Sequence, residues 1–158
     1  MNFSDIQLIV YDFDGVMTDN RVMVSEDGME SVIVSRADGL GVNIIKEMEI
    51  PQMILSTETN PVVSLRAKKL GIPVLQGVDD KMTVLLNYCK SNNFNPKGVL
   101  YIGNDVNDEG VMKAVGYTVA PADAHHSIKS LAQMVLGTKG GQGVVRELAD
   151  KLKGYRKY

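Results

Sequence analysis

Asp12 and Asp14 stand two residues apart, directly after the apolar run Leu8-Ile-Val-Tyr11 and directly before Gly15. An apolar run of that length closed by a turn predicts a buried strand. Side chains two apart on a strand share a face, so both carboxylates are expected together at a strand's carboxyl end. Carboxylates crowded in this way repel unless a proton or a cation lies between them. The pair suits a magnesium ion, which takes hard oxygen ligands together with substrate phosphate. It equally suits a carboxylate nucleophile beside a second carboxyl that carries a proton. The plain alternative for this segment alone is a strand ending in a polar turn, where Asp and Gly are ordinary.

Three more segments carry matching chemistry. Ile54-Leu-Ser-Thr-Glu58 runs from apolar residues into hydroxyls, Gln76-Gly-Val-Asp-Asp-Lys81 delivers a lysine to a helix start, and Tyr101-Ile-Gly-Asn-Asp-Val-Asn-Asp108 ends in amide and acid side chains. Taken singly, Ser56 and Thr57 are helix caps, Lys81 is a solvated charge, and 104–108 is a loop. Gathered at the ends of neighbouring strands they supply acidic ligands, a hydroxyl donor and one cation. Phosphoryl transfer needs that combination, because its catalysis is positioning and charge neutralisation.

The elements that must bring them together alternate in type. Strands are expected at 8–12, 52–55, 73–75, 99–102, 117–119 and 134–136. Helices are expected at 39–49, 61–70, 81–92, 107–114, 125–131 and 144–152. Such alternation implies βαβ units around a parallel sheet covered on both faces, and right-handed crossovers make it doubly wound. Ligands in such α/β sheets bind beyond the strands' carboxyl ends, where the strand order reverses. Residues 20–37 interrupt the pattern: 21–25 and 30–35 flank Glu26-Asp-Gly28 and predict a β-hairpin after the first strand. Its Val22, Val24, Val32 and Val34 alternate and would bury one face in an interface, with packing on the chain's own sheet as the plain alternative. No insertion is long enough for a cap domain, so residues 1–158 are expected to form one domain.

The 158 residues, 44% hydrophobic and 23% charged, suit one domain with a real core. The net charge of -2 argues against nucleic acid as the main partner. No run approaches the roughly 18 apolar residues of a membrane span, and Met1-Asn-Phe-Ser-Asp lacks the features of a secretory signal. One cysteine, Cys89, in an apolar helix is expected to be a core thiol. These features are consistent with a cytoplasmic protein. His125-His126 has no third ligand at useful spacing and is expected to open a helix. The basic stretch 151–158 is expected to be a solvated helix end, where cations suit the helix dipole.

In order and spacing, the four segments from Asp12 to Asp108 resemble the signature motifs of the haloacid dehalogenase phosphohydrolase superfamily. Together with Asp38-Gly-Leu-Gly41 and Gly140-Gly-Gln-Gly-Val-Val-Arg-Glu147, the chain resembles its capless branch. That branch holds phosphatases of 2-keto-3-deoxy sugar acid phosphates, namely 3-deoxy-D-manno-octulosonate 8-phosphate and the nonulosonate (sialic-acid type) 9-phosphates. It also holds the domain fused behind some acylneuraminate cytidylyltransferases. The resemblance implies a Rossmann-like α/β core and a magnesium cofactor. It implies Asp12 as nucleophile and metal ligand, Asp14 as general acid/base and metal ligand through its carbonyl, Ser56 on the phosphoryl oxygens and Lys81 as the neutralising cation. Asn104 stands where the family usually has a metal-binding Asp; Asp105 and Asp108 would support the metal shell and orient Lys81. An amide oxygen brings no charge, so weaker metal binding or reliance on Asp105 is expected.

For the sugar acid the resemblance points to Thr57, Glu58, Arg66, Lys69 and Arg146. Glu58 with Arg66 and Lys69 resembles the nonulosonate phosphatases, whereas the octulosonate enzymes tend to have a basic residue at the position of Glu58. Arg66 and Lys69 are spaced i, i+3 and share a helix face that could hold a carboxylate; a solvated basic face is the plain alternative. The resemblance further implies a homotetramer in which a neighbour's hairpin closes the site. Three other readings stay open at this stage: the octulosonate substrate, a catalytically weak module paired with a cytidylyltransferase, and a receiver domain with its own strand-end Asp.

Overall fold

The computed structural model describes residues 3–155. Met1, Asn2 and residues 156–158 lie outside the described residues, as therefore does the end of the basic stretch. Six parallel strands form the sheet: β1 (Leu8–Tyr11), β4 (Gln52–Leu55), β5 (Val74–Leu75), β6 (Val99–Ile102), β7 (Tyr117–Ala120) and β8 (Met134–Val135). Their order is β5-β4-β1-β6-β7-β8. The chain winds outward from β1 on one side, then crosses to β6 and winds outward on the other. The reversal places the crevice above β1, between β4 and β6.

The strands read as continuous apolar runs because both faces are covered. Ile9 and Tyr11 point into one core with Ile54 and Ile102; Leu8 and Val10 point into the other with Met53, Leu55 and Tyr101. The first face is packed by helices α1 (Arg36–Glu47), α2 (Val62–Leu70) and α6 (Val144–Tyr155), the second by α3 (Lys81–Ser91), α4 (Glu109–Ala114) and α5 (His126–Leu131). Cys89 is buried in the second core, and His125 caps α5, both as expected. No helix among the described residues is long and apolar enough to cross a membrane.

Several boundaries differ from the expectation. Helix α1 starts at Arg36 because the Ser35 hydroxyl caps it, accepting from Ala37 N–H. Its glycines mark helix packing: a Cβ at Gly41 would lie 2.7 Å from the backbone of Val145 and Arg146. The stretch 106–108 forms a 3-10 turn before α4 rather than α-helix. The hairpin pairs only β2 (Met23–Val24) with β3 (Glu30–Ser31), with a further bridge between Thr18 and Val34. Val32 and Val34 pack on the chain's own core, while Val22, Met23, Val24, Met29 and Ile33 are at least 50% exposed.

Asp38 clamps α1 to the start of α6. Its Oδ1 accepts from Val145 N–H at 2.9 Å, and Oδ2, fully buried, has no partner. Burial pushes this carboxyl up to about 6, against the pull of the nearby Val145 and Arg146 N–H groups and the charge of Arg66. An acid harder to ionise when folded makes folding less favourable as pH rises past its unfolded value. Wild type should therefore lose about 1 kcal/mol through this group between pH 5 and pH 7. Asp38→Asn should abolish that slope, which urea unfolding of both proteins at the two pH values would reveal; parallel pH dependences would refute it.

Candidate active site

The strand ends aim the reacting groups. Asp12 N–H still bonds to Ile102 O, and Ser56 N–H to Leu75 O, so each is the first residue past its strand and is held by the last rung of the ladder. The chain then turns, with Val16, Met17 and Thr18 N–H all converging on Phe13 O. Phe13 is buried, which leaves Asp12 and Asp14 on one cavity. That cavity, about 360 Å³, is lined by Asp12, Asp14, Asn20, Ser56, Thr57 and the loop 104–107.

Beneath it lies a buried ionic chain. Lys81 Nζ reaches Asp12 Oδ1 at 2.8 Å and Asp108 Oδ1 at 2.7 Å, with all three side chains nearly inaccessible. Lys81 opens α3, whose start is capped by Asp80 accepting from Thr83 N–H. The loop before α3 is tied to the Ser56 loop through Val78 N–H to Ser56 O and Gly77 N–H to Glu58 O. Asp108 accepts from Lys81 and from the Tyr101 hydroxyl, at 2.7 Å each, on Oδ1, and from the N–H groups of Asn104 and Asp105 on Oδ2. It thus fixes both the lysine and the loop that faces Asp12. Gly103 makes room for it, since a Cβ there would lie 2.6 Å from Asp108 Cβ.

Electrostatics separates the two carboxyls of the first motif. Burial and then the Asp108 charge push Asp12 up to about 7, against the pull of Lys81 and the Phe13 N–H. Burial also raises Asp14, opposed by the Thr18 hydroxyl bond and reinforced by the charge of Glu58. Asp14 is less enclosed than Asp12, so it holds the position of a group that can exchange a proton with the cavity. Lys81 is lowered by its burial, but Asp12 and Asp108 outweigh this and raise it; it is a fixed cation.

The cavity also carries a donor set for a metal. One amide atom of Asn104 lies 3.1 Å from Asp12 Oδ2 and 2.9 Å from Asp14 O. With the amide oxygen in that place, three oxygens converge with no hydrogen between them, the environment a hard cation completes. No group of three or more His, Cys, Asp or Glu side chains among the described residues could hold a metal. The set here is instead one carboxylate, one backbone carbonyl and one amide. That leaves coordination positions for water and phosphate, as magnesium prefers. Asp105 lines the same cavity, while its Oδ1 accepts from Val106 N–H.

Not every residue expected at the site is there. Thr57 lines the cavity, but Glu58 spends its carboxylate on the N–H groups of Thr59 and Asn60. Arg66 and Lys69 do share a face, yet it lines a separate cavity of about 260 Å³ with Arg36, Gly39, Leu40 and Asn43. Arg66 Nη2 there donates to Ser35 O. Arg146 donates to Asp150 one turn along α6. Within one chain these three basic residues are outside the Asp12 cavity. Sequence reasoning passed over Thr18 and Tyr101. Thr18 hydroxyl donates to Asp14 Oδ1 at 3.2 Å; a hydroxyl four residues past an acid in a tight turn was the available signal. For Tyr101, the signal was a tyrosine inside a fully buried strand, whose hydroxyl needs a partner.

A family model described as haloacid dehalogenase-like hydrolase matches residues 43–148. The chain is 35% identical over 148 residues to the 3-deoxy-D-manno-octulosonate 8-phosphate phosphatase of Yersinia pestis, covering 93% of this chain and 79% of that one. Among solved structures, a HAD family hydrolase of Streptomyces avermitilis superposes with a TM-score of 0.92 at 45% identity, over 95% of this chain and 86% of the other. The 3-deoxy-D-manno-octulosonate 8-phosphate phosphatase of Moraxella catarrhalis, in complex with magnesium, phosphate and KDO, superposes with a TM-score of 0.93 at 27% identity, over 98% and 89%.

Proposed function

The chain belongs to the haloacid dehalogenase-like hydrolases, and from that premise we propose that it is a magnesium-dependent phosphatase of a 2-keto-3-deoxy sugar acid phosphate. The observation that carries the reading is the Asp12–Lys81–Asp108 chain beneath a cavity walled by Asp14, Ser56 and Asn104. A buried carboxylate held by a fixed cation, with a partly buried carboxyl beside it, is organised for two-step phosphoryl transfer.

Asp12 attacks phosphorus, and the bond from phosphorus to the sugar oxygen breaks. Asp14 gives its proton to the departing alkoxide, a poor leaving group without one. Asp14 then takes a proton from water, whose oxygen attacks phosphorus and releases Asp12 and inorganic phosphate. Ser56 and Lys81 bind the phosphoryl oxygens, and Thr18 orients Asp14. Asp12, the Asp14 carbonyl, Asn104 and the neighbouring Asp105 would hold magnesium, which would supply further charge neutralisation at the phosphoryl group.

Two sugar acids fit the class. The activity named for the Yersinia and Moraxella proteins favours octulosonate 8-phosphate; the Glu58-Arg66-Lys69 set favours a nonulosonate 9-phosphate. In the second case, Arg66 and Lys69 would meet the substrate from a neighbouring copy, in a homotetramer joined through the exposed Val22, Met23, Val24, Met29 and Ile33 of the hairpin. Phosphate release should be measured from both sugar acid phosphates and an aryl phosphate, with magnesium and with EDTA, on protein of known solution mass. Magnesium-dependent turnover favouring one sugar acid is expected, from an oligomer. Folded protein inert on all three with magnesium in excess would leave the cytidylyltransferase-associated module as the better reading.

A further inference from the structure

We propose that the Asn104 side chain is an internal substitute for the metal ion, and that metal binding is coupled to a half-turn of its amide. The same amide edge that completes a metal site with its oxygen makes two hydrogen bonds with its nitrogen. Turned so, Nδ2 donates to Asp12 Oδ2 at 3.1 Å and to Asp14 O at 2.9 Å. An Asp12 carboxylate oxygen and the Asp14 carbonyl then have a donor within the protein when no cation is present, and neither depends on water in the cavity for one.

The surroundings restrict the response to that one rotation. Asn104 N–H is bound to Asp108 Oδ2, and its carbonyl accepts from His125 N–H at 2.8 Å, so the backbone is pinned from both sides. The residue is 7% exposed, so most of it is held by protein and the remainder faces the Asp12 cavity. The amide lies across the bare Cα of Gly15, at φ 80°, where any Cβ would collide with it. The NH2 and O of an amide are nearly the same size, so exchanging them moves nothing else. The metal-free site prefers nitrogen inward, and a cation prefers oxygen inward. Each state excludes the other.

An Asp at this position behaves differently. It would set a second carboxylate about 3 Å from Asp12, where like charges oppose joint ionisation. That state is costly without metal and favourable with it. Asn104 gives up metal affinity and in return the empty site is self-satisfied. The choice of cation rests on the phosphatase reading above; the amide exchange does not.

The test uses magnesium chloride and needs no turnover. Thermal unfolding in EDTA and calorimetric titration with magnesium are compared for wild type, Asn104→Asp and Asn104→Ala. Asn104→Asp should melt about 5 °C lower without metal, bind magnesium at least tenfold more tightly and gain more from it in melting temperature. Asn104→Ala, which lacks both donor and acceptor, should lose stability in EDTA and also bind magnesium more weakly. Side-chain amide resonances of Asn104 should shift on saturation with magnesium in wild type. The idea is overturned if Asn104→Asp is as stable as wild type in EDTA, or binds magnesium no more tightly. These outcomes are independent of phosphate release, so a protein inactive on every sugar acid phosphate could still pass, and an active one could still fail.

Discussion

Asp12→Asn is expected to lower phosphate release from the sugar acid phosphate by on the order of 10³-fold or more, while the metal-free protein stays at least as stable as wild type. The amide cannot form the acyl phosphate, so the loss falls on the chemical step. Stability should move the other way. Wild type holds two carboxylates, Asp12 and Asp108, on the single buried cation Lys81. Burial and the Asp108 charge push Asp12 up to about 7, so its ionised form carries a folding cost that grows from acidic pH up to about neutrality. An Asn leaves Lys81 and Asp108 as a neutral pair and can still accept from Phe13 N–H, now made to Asp12 Oδ1 at 2.8 Å. Steady-state kinetics and urea unfolding in EDTA, run on the same preparation, check both halves. Residual turnover near wild type would refute the nucleophile assignment, and a protein that unfolds would refute the charge accounting.

Much of this site was legible because its parts follow from local rules. The central strands β4 and β6 were expected at their observed bounds, since strands buried on both faces leave continuous apolar runs between turns. Asp12, Ser56 and Asn104 could be placed at strand ends for the same reason. The hairpin was overextended because an exposed ribbon has no burial pattern to mark where pairing stops. Its valines divide between the chain's own core and its surface. Arg66 and Lys69 show the sharper limit. Their i, i+3 spacing correctly predicts a common face, but spacing says nothing about what that face meets, and here it fronts a cavity beside α1. Tyr101 and Asp38 act through residues 7 and 107 positions away. Only the folded sheet and the α1–α6 contact reveal those partners.

Lys81→Met should be the most damaging single change, because it removes the one cation from between two buried carboxylates. Breaking a buried ion pair by deleting one partner typically costs about 3–5 kcal/mol, and here Asp12 and Asp108 both lose their counter-ion. The Met side chain fills a similar volume, so the loss reports charge rather than a cavity. Without the pull of Lys81, burial and Asp108 raise Asp12 further, and its carboxyl is protonated at neutral pH in metal-free protein. Catalysis should fall by on the order of 10³-fold, through loss of charge neutralisation at the phosphoryl group and of the ionised nucleophile. A second variant separates these effects. Lys81→Met with Asp108→Asn removes one stranded charge and should recover much of the stability, measured by urea unfolding, but none of the turnover. Asp108 would then be a positioning residue whose charge matters through Lys81. If Lys81→Met alone proves as stable as wild type, the ionic chain does not bear on folding, and Asp108 must be held by Tyr101 and the 104–105 backbone alone.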